Sequence, residues 1–224
     1  MWVRFEDRQE AGEILAKKLR AFRGRDDVVV LALPRGGVPV GFEVAKELGL
    51  PLDVLAVRKL GIPGHEELAF GAIASGGFGY IDKPLVKALK MQEAMIEEVT
   101  QHETRELARR ESLYRGQRRR PVLTNKVVIL IDDGLATGST MRSAVQAVRA
   151  EAAKEILVAA PVCSLQTCEA LQNGVDTWCI CLEAPEPFYA VGFWYRNFEQ
   201  TTDEEVQRLL EESQRFAAVR KKAA

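Results

Sequence analysis

Two adjacent carboxylates, Asp132 and Asp133, follow five consecutive apolar residues, Val127 to Ile131, within the run KVVILIDDGLATGST from Lys126 to Thr140. Paired acids can accept hydrogen bonds from neighbouring hydroxyls, such as those a ribose ring presents. Gly134 and Gly138 come next, with the hydroxyls of Thr137, Ser139 and Thr140. The unpaired N–H groups at the start of a helix there form a ready anion site. Carboxylates for sugar hydroxyls beside amides for a phosphate describe a receptor for a ribose phosphate. Taken singly, each residue reads as a helix cap or a turn. The complete spacing behind a buried apolar run carries the inference.

Two further groups could serve an anion. Pro34-Arg35-Gly36-Gly37 follows the apolar run Val28 to Leu33, and paired glycines let the backbone approach a ligand closely. The segment is neither a Walker loop nor a dinucleotide fingerprint, since the lysine with its hydroxyl partner and the GxGxxG pattern are both missing there. Arg58 and Lys59 close a second apolar run, Leu52 to Val57, and two cations would complement a pyrophosphate. In isolation they read as a surface ion pair.

The elements that must position these groups alternate between strand and helix. Apolar Ala11, Ile14, Leu15, Leu19 and Phe22 recur at helical spacing between Asp7 and Phe22, with Asp7 as the cap. Strands are expected at Val28–Leu33, Leu52–Val57, Val127–Asp132, Ile156–Val162 and Val175–Leu182. Helices are expected at about Val38–Leu48, Ser139–Ala152 and Ser164–Asn173. This spacing predicts an α/β fold, a parallel sheet of about five strands flanked by helices. Ligands bind such sheets at the carboxyl ends of the strands, where all three groups then fall.

Two segments stand outside that alternation. Residues 60–80 hold six glycines in 21 residues and read as a mobile loop with weak strand character near Ala69–Ile73. Lys83–Arg120 lacks glycine until Gly116 and reads as a long inserted surface helix, docked on the core or on a partner subunit. Its basic end is read as a solvated helix face, with cations complementing the helix dipole. Residues 183–224 form a small C-terminal hood and a terminal amphipathic helix from Asp203. Phe188, Trp194 and Tyr195 in the hood could stack on a flat base or could pack the hood onto the core.

The motif DDGLATGST, with the two other groups in the same order, resembles the signature of the type I phosphoribosyltransferases over about Val28–Leu182. The resemblance implies transfer of phosphoribose from phosphoribosyl pyrophosphate (PRPP) with Mg²⁺ to a nitrogen nucleophile, releasing pyrophosphate. It assigns Asp132 and Asp133 to the ribose hydroxyls and Ala136, Thr137, Gly138, Ser139 and Thr140 to the ribose phosphate. Arg35, Gly36, Gly37, Arg58 and Lys59 would face the leaving pyrophosphate, and residues 60–80 would close over the reacting centre. The pyrophosphate loop of the family often carries a cis non-proline peptide, for which Pro34–Arg35 is the candidate. The metal would be held mainly by PRPP oxygens and water, with no direct protein ligand. The 6-oxopurine members carry an acidic general base at the position of Ala136, so this chain departs from them. A nucleobase or related heterocycle other than a 6-oxopurine is the expected acceptor.

Bulk properties agree with a single phosphoribosyltransferase-like domain over residues 1–224. A 47% hydrophobic, 28% charged composition suits a globular core. A net charge of −1 gives no electrostatic reason to expect nucleic acid or anionic membrane as partner. The chain shows no signal segment and no apolar stretch of about 18 residues, so a cytoplasmic protein is expected, with a homodimer open. Cys163, Cys168, Cys179 and Cys181 show no zinc spacing and read as buried free thiols. The alternative function is a non-catalytic sensor of PRPP or a nucleotide, which would bind PRPP without turning over any acceptor. A phosphatase or kinase using the acid pair would instead act without PRPP.

Overall fold

The computed structural model describes residues 4–116, 118–172 and 177–223. Its core is a five-stranded parallel sheet of β1 (Val28–Ala32), β2 (Leu52–Val54), β6 (Val127–Ile131), β7 (Glu155–Val162) and β8 (Thr177–Glu183), in the order β2-β1-β6-β7-β8. Every residue of β1 and β6 is buried, because helices cover both faces of the sheet. Side chains alternate across it. Val29, Leu31, Val128, Leu130 and Val158 pack with Met141, Ala144 and Val148 of α5 (Ser139–Ala150). Val28, Val30, Val127, Ile129 and Leu157 face α1 (Arg8–Lys18) and α2 (Gly37–Leu48) through Leu15, Val40 and Val44.

Local chemistry sets the helix ends. The Asp7 carboxylate accepts from the Glu10 N–H at 2.9 Å and caps α1, which gives way to a short 3₁₀ turn at Arg20–Phe22. Gly49, at φ +63°, closes α2. Ser164 Oγ accepts from the Thr167 N–H and caps α6 (Leu165–Gln172). Asn173, Gly174 and Val175, the expected end of this helix and start of the next strand, lie outside the described residues.

Three expectations are corrected. The run Leu52–Val57 is not one strand, because the chain leaves the parallel sheet after Val54. The Leu55 N–H still donates to the Ala32 carbonyl at 3.0 Å, but the Ala56 N–H donates to Ser75 Oγ at 3.0 Å. From there β3 (Val57–Ile62), β4 (His65–Ala74) and β5 (Phe78–Ile81) form a separate antiparallel sheet, so residues 60–80 are largely strand rather than loop. Leu60, Phe70 and Ile73 share one buried cluster, with a register shift beside Leu60 interrupting the simple alternation of the strands. That cluster docks against helices. The expected single helix over Lys83–Arg120 is two, α3 (Lys83–Ala88) and α4 (Glu93–Arg115), separated at Lys90 with φ +50°. Leu85, Val86, Ile96, Val99 and Leu107 pack on the second sheet, while Tyr114 meets α7 (Asp203–Ala223). Among the described residues, no helix is long and apolar enough to cross a membrane.

Candidate functional site

The carboxyl ends of β1 and β6 bring two of the three groups into contact. After β1 the chain turns through a cis Pro34–Arg35 peptide into α2. A Cβ at Gly37 would sit 2.7 Å from the Ile131 carbonyl oxygen and 2.9 Å from Asp132 Cα. A Cβ at Gly36 would overlap the Asp133 carboxylate. The two glycines are therefore required by the close approach of this loop to the acid pair.

Both acids are only partly exposed. Burial, and then the charge of Asp133 beside it, push the Asp132 carboxyl well above the usual range. Asp132 Oδ1 accepts from the Asp133 N–H at 2.9 Å. Burial also pushes Asp133 up, against the opposing pull of the Arg8 guanidinium. Arg8 donates from Nε to Asp133 Oδ2 at 2.8 Å and pairs with the same oxygen through Nη2 at 2.8 Å, and its guanidinium lies 3.9 Å from the centre of the Phe198 ring. The Tyr195 hydroxyl donates to the Asp133 carbonyl at 2.6 Å. Arg8 was not singled out by sequence reasoning, and with a separation of 125 positions no local pattern could have marked it.

Beyond the acids, Ala136, Thr137 and Thr140 are exposed and Ser139 is half-buried at the start of α5, whose first turn no side chain caps. Gly138 makes the turn at φ +64°. The loop is held from behind, since Ser164 Oγ and Thr167 Oγ1 donate to the Ala136 carbonyl at 2.8 and 2.7 Å. These two hydroxyls, from the start of α6, are also positioning residues that the sequence did not disclose.

The two basic residues separate. Arg58 donates from Nε to Glu103 of α4 at 2.5 Å, beside a cavity of about 910 Å³ between β3 and α4. Lys59 lines that cavity too, and also another, of about 450 Å³, with Ser139 and Arg142 at the head of α5. Of the two cations, Lys59 is the one that shares a hollow with Ser139. Arg35, about one-third exposed, lies 3.8 Å from Asp203 of α7.

Of the two readings of the hood aromatics, packing onto the core is the one that their burial supports. Trp194 is 1% and Tyr195 4% exposed, packed with Phe5 and Val162, and Phe188 lies against the same cluster. These rings seal the hood onto the core. Tyr189 and Phe193, with ring centres 5.6 Å apart, are exposed, on either side in the chain of Val191, which abuts Gly134.

Residues 4–183 match the profile of the phosphoribosyl transferase domain. The chain belongs to the phosphoribosyl transferase family. It is 44% identical over 211 residues to a protein of Mycobacterium tuberculosis named "Putative phosphoribosyl transferase". That match takes in 94% of this chain but 47% of the relative, so the chain spans about half the length of the curated relatives it matches. The crystal structure of TT1426 from Thermus thermophilus aligns with a TM-score of 0.83 at 37% identity, covering 94% of this chain and 99% of that one. A hypothetical protein from Neisseria gonorrhoeae, crystallised with ppGpp, aligns at 0.51 and 14% identity over 95% of this chain and 96% of its own, a likeness of fold alone.

Proposed function

We propose that this phosphoribosyl transferase domain moves phosphoribose from PRPP–Mg²⁺ to a nitrogen acceptor. The observation that carries this reading is the direct contact between the acid pair and the Gly36-Gly37 loop, with the uncapped α5 start one turn away. In the reaction the bond from ribose C1 to the pyrophosphate oxygen breaks, its electron pair leaves on pyrophosphate, and the acceptor nitrogen forms the new bond. Positive charge builds on the ring as it does so.

Asp132 and Asp133 suit that change. Crowded and buried, they hold their negative charge at a cost that a nearby cation lowers, so their attraction grows as the ring becomes positive. Donation from ribose hydroxyls would help them further, with Asp133 exchanging part of its Arg8 contact for the ligand. The amides opening α5, with Thr137, Ser139 and Thr140, would grip the phosphate. Lys59 and Arg35, with the amides of Gly36 and Gly37, would face the pyrophosphate, and Arg58 would join them on release from Glu103. The site offers hard carboxylate oxygens and backbone groups, which suits Mg²⁺ carried in on PRPP oxygens and water, with Asp132 and Asp133 as the nearest protein charges. When bound, the ion would neutralise pyrophosphate charge.

Ala136 supplies no side-chain base, and its carbonyl is already engaged by Ser164 and Thr167. This supports an acceptor other than a 6-oxopurine. Tyr189 and Phe193 would offer exposed aromatic surface to a flat acceptor.

Pyrophosphate release from PRPP–Mg²⁺, measured across a panel of nucleobases and related heterocycles, tests the reading. Asp133→Asn should lower kcat/KM for PRPP by more than about tenfold, or about 1.4 kcal/mol. An unchanged rate in a folded variant would remove the ribose assignment. Tight PRPP binding with no turnover of any acceptor would favour a sensor instead.

A further inference from the structure

The four cysteines, scattered over 19 residues of sequence, meet in space. Cys163 follows β7, Cys168 lies in the first turn of α6, and Cys179 and Cys181 project from one face of the edge strand β8. All four Sγ atoms lie within 4.8 Å of one another, with Cys179 and Cys181 at 3.9 Å. We propose that they form a tetrathiolate site for a single zinc ion.

The geometry fits that ion. Zinc–sulfur bonds of about 2.3 Å in a tetrahedron place sulfurs about 3.8 Å apart, so closing the cluster requires movements of less than about 1 Å. Four mutually close sulfurs match a tetrahedron better than two separate disulfide pairs. Tetrahedral sulfur donors select zinc or iron over harder divalent ions. Cys163 and Cys179 are buried, whereas Cys168 and Cys181 are half-buried and leave a path for the ion. The spacing, Cys163 to Cys168 and Cys179 to Cys181, contains no CxxC, which is why the sequence alone pointed to isolated thiols.

The site would act as a staple. It joins the end of β7, the start of α6 and the edge of the sheet. Between Cys163 and Cys168 lie Ser164 and Thr167, whose hydroxyls hold the Ala136 carbonyl. Zinc would therefore stiffen the support of the loop assigned to phosphate. Its presence does not depend on that assignment, because it is read by metal content and spectrum rather than by activity.

The chain expressed with added zinc and purified without chelator should carry about one zinc per chain by elemental analysis. Cobalt added to the stripped protein should give the intense visible bands and sulfur charge-transfer absorption of a tetrahedral thiolate site. Cys168→Ser and Cys181→Ser should each lower zinc content at least about fivefold and remove those bands. Thermal unfolding of the wild type should shift upward on zinc addition. The proposal is overturned if the folded wild type takes up less than about a tenth of an equivalent of zinc and gives no cobalt spectrum. Disulfides found by mass analysis without reductant, in protein that takes up no zinc after reduction, would overturn it as well. If the serine variants do not fold, the wild-type stoichiometry and cobalt spectrum still decide.

Discussion

Replacing Gly138 with alanine would place two separable strains on the phosphate loop. The residue sits at φ +64°, where an L side chain costs roughly 1–2 kcal/mol. The new Cβ would also lie under 3.0 Å from Thr167 Cγ2. Thr167 cannot rotate away freely, because its Oγ1 donates to the Ala136 carbonyl at 2.7 Å. Overpacking of this kind costs about 1–3 kcal/mol, giving a total of about 2–5 kcal/mol. Thr167→Ser removes the offending methyl and keeps the hydroxyl. The next neighbours of the added Cβ are then Arg142 Nη1 at 3.5 Å and the residue 167 Cβ at 3.7 Å, both ordinary contacts. The double variant should recover the steric part, about 1–3 kcal/mol, and retain the backbone part. Urea unfolding of the wild type, both single variants and the double variant measures this coupling. A double variant no more stable than Gly138→Ala would refute the steric argument. Calorimetric PRPP titration adds a second readout: Gly138→Val should abolish binding, and retained affinity would place the phosphate elsewhere.

Asp132→Asn should make the unliganded chain more stable at neutral pH while impairing PRPP use. The folded-state carboxyl value of Asp132 is raised, so its contribution favours the fold most below the unfolded value of about 3.9 and is lost as pH climbs through the raised folded value. The stability difference between variant and wild type should therefore widen from pH 4 to pH 8 in denaturant unfolding, and a constant difference would contradict the burial argument. Arg8→Ala should cost about 2–4 kcal/mol at pH 7, because it leaves Asp133 without its partner in a pair whose side chains are 12% and 14% exposed. That loss should shrink in acid as Asp133 takes up its proton, and an equal loss at both pH values would point to the Phe198 stacking instead. Lys59→Ala should lower kcat/KM for PRPP at least about tenfold with little change in stability, whereas Arg58→Ala should chiefly lower the melting temperature through loss of the Glu103 contact. The reverse pattern would reassign the two cations.

Local patterns exposed the frame of this protein. Short unbroken apolar runs at Val28 and Val127, ending at turn residues, match strands covered on both faces, and the caps at Asp7, Gly49 and Ser164 mark helix ends by their own side chains or backbone. The acid pair and the phosphate loop follow from a motif contiguous in the chain. What stayed hidden depends on partners far apart in sequence. Residues 60–80 become sheet because β3, β4 and β5 pair and bury Phe70 against the helices that follow, which a count of glycines cannot reveal. Arg58 reads in isolation as one of an ion pair, but its partner, Glu103, lies 45 positions on and cannot be named from the local sequence. Trp194 and Tyr195 are open in the sequence to two readings, a base platform or core packing, and Phe5, from the other end of the chain, packs with them in the core. The same division applies inside the site. A motif states which groups reach the sheet edge, but the charge they carry there depends on Arg8 and on burial by the surrounding fold. The donor proposed above rests on contiguous residues, whereas surfaces such as Tyr189 and Phe193 owe their exposure to how the hood packs.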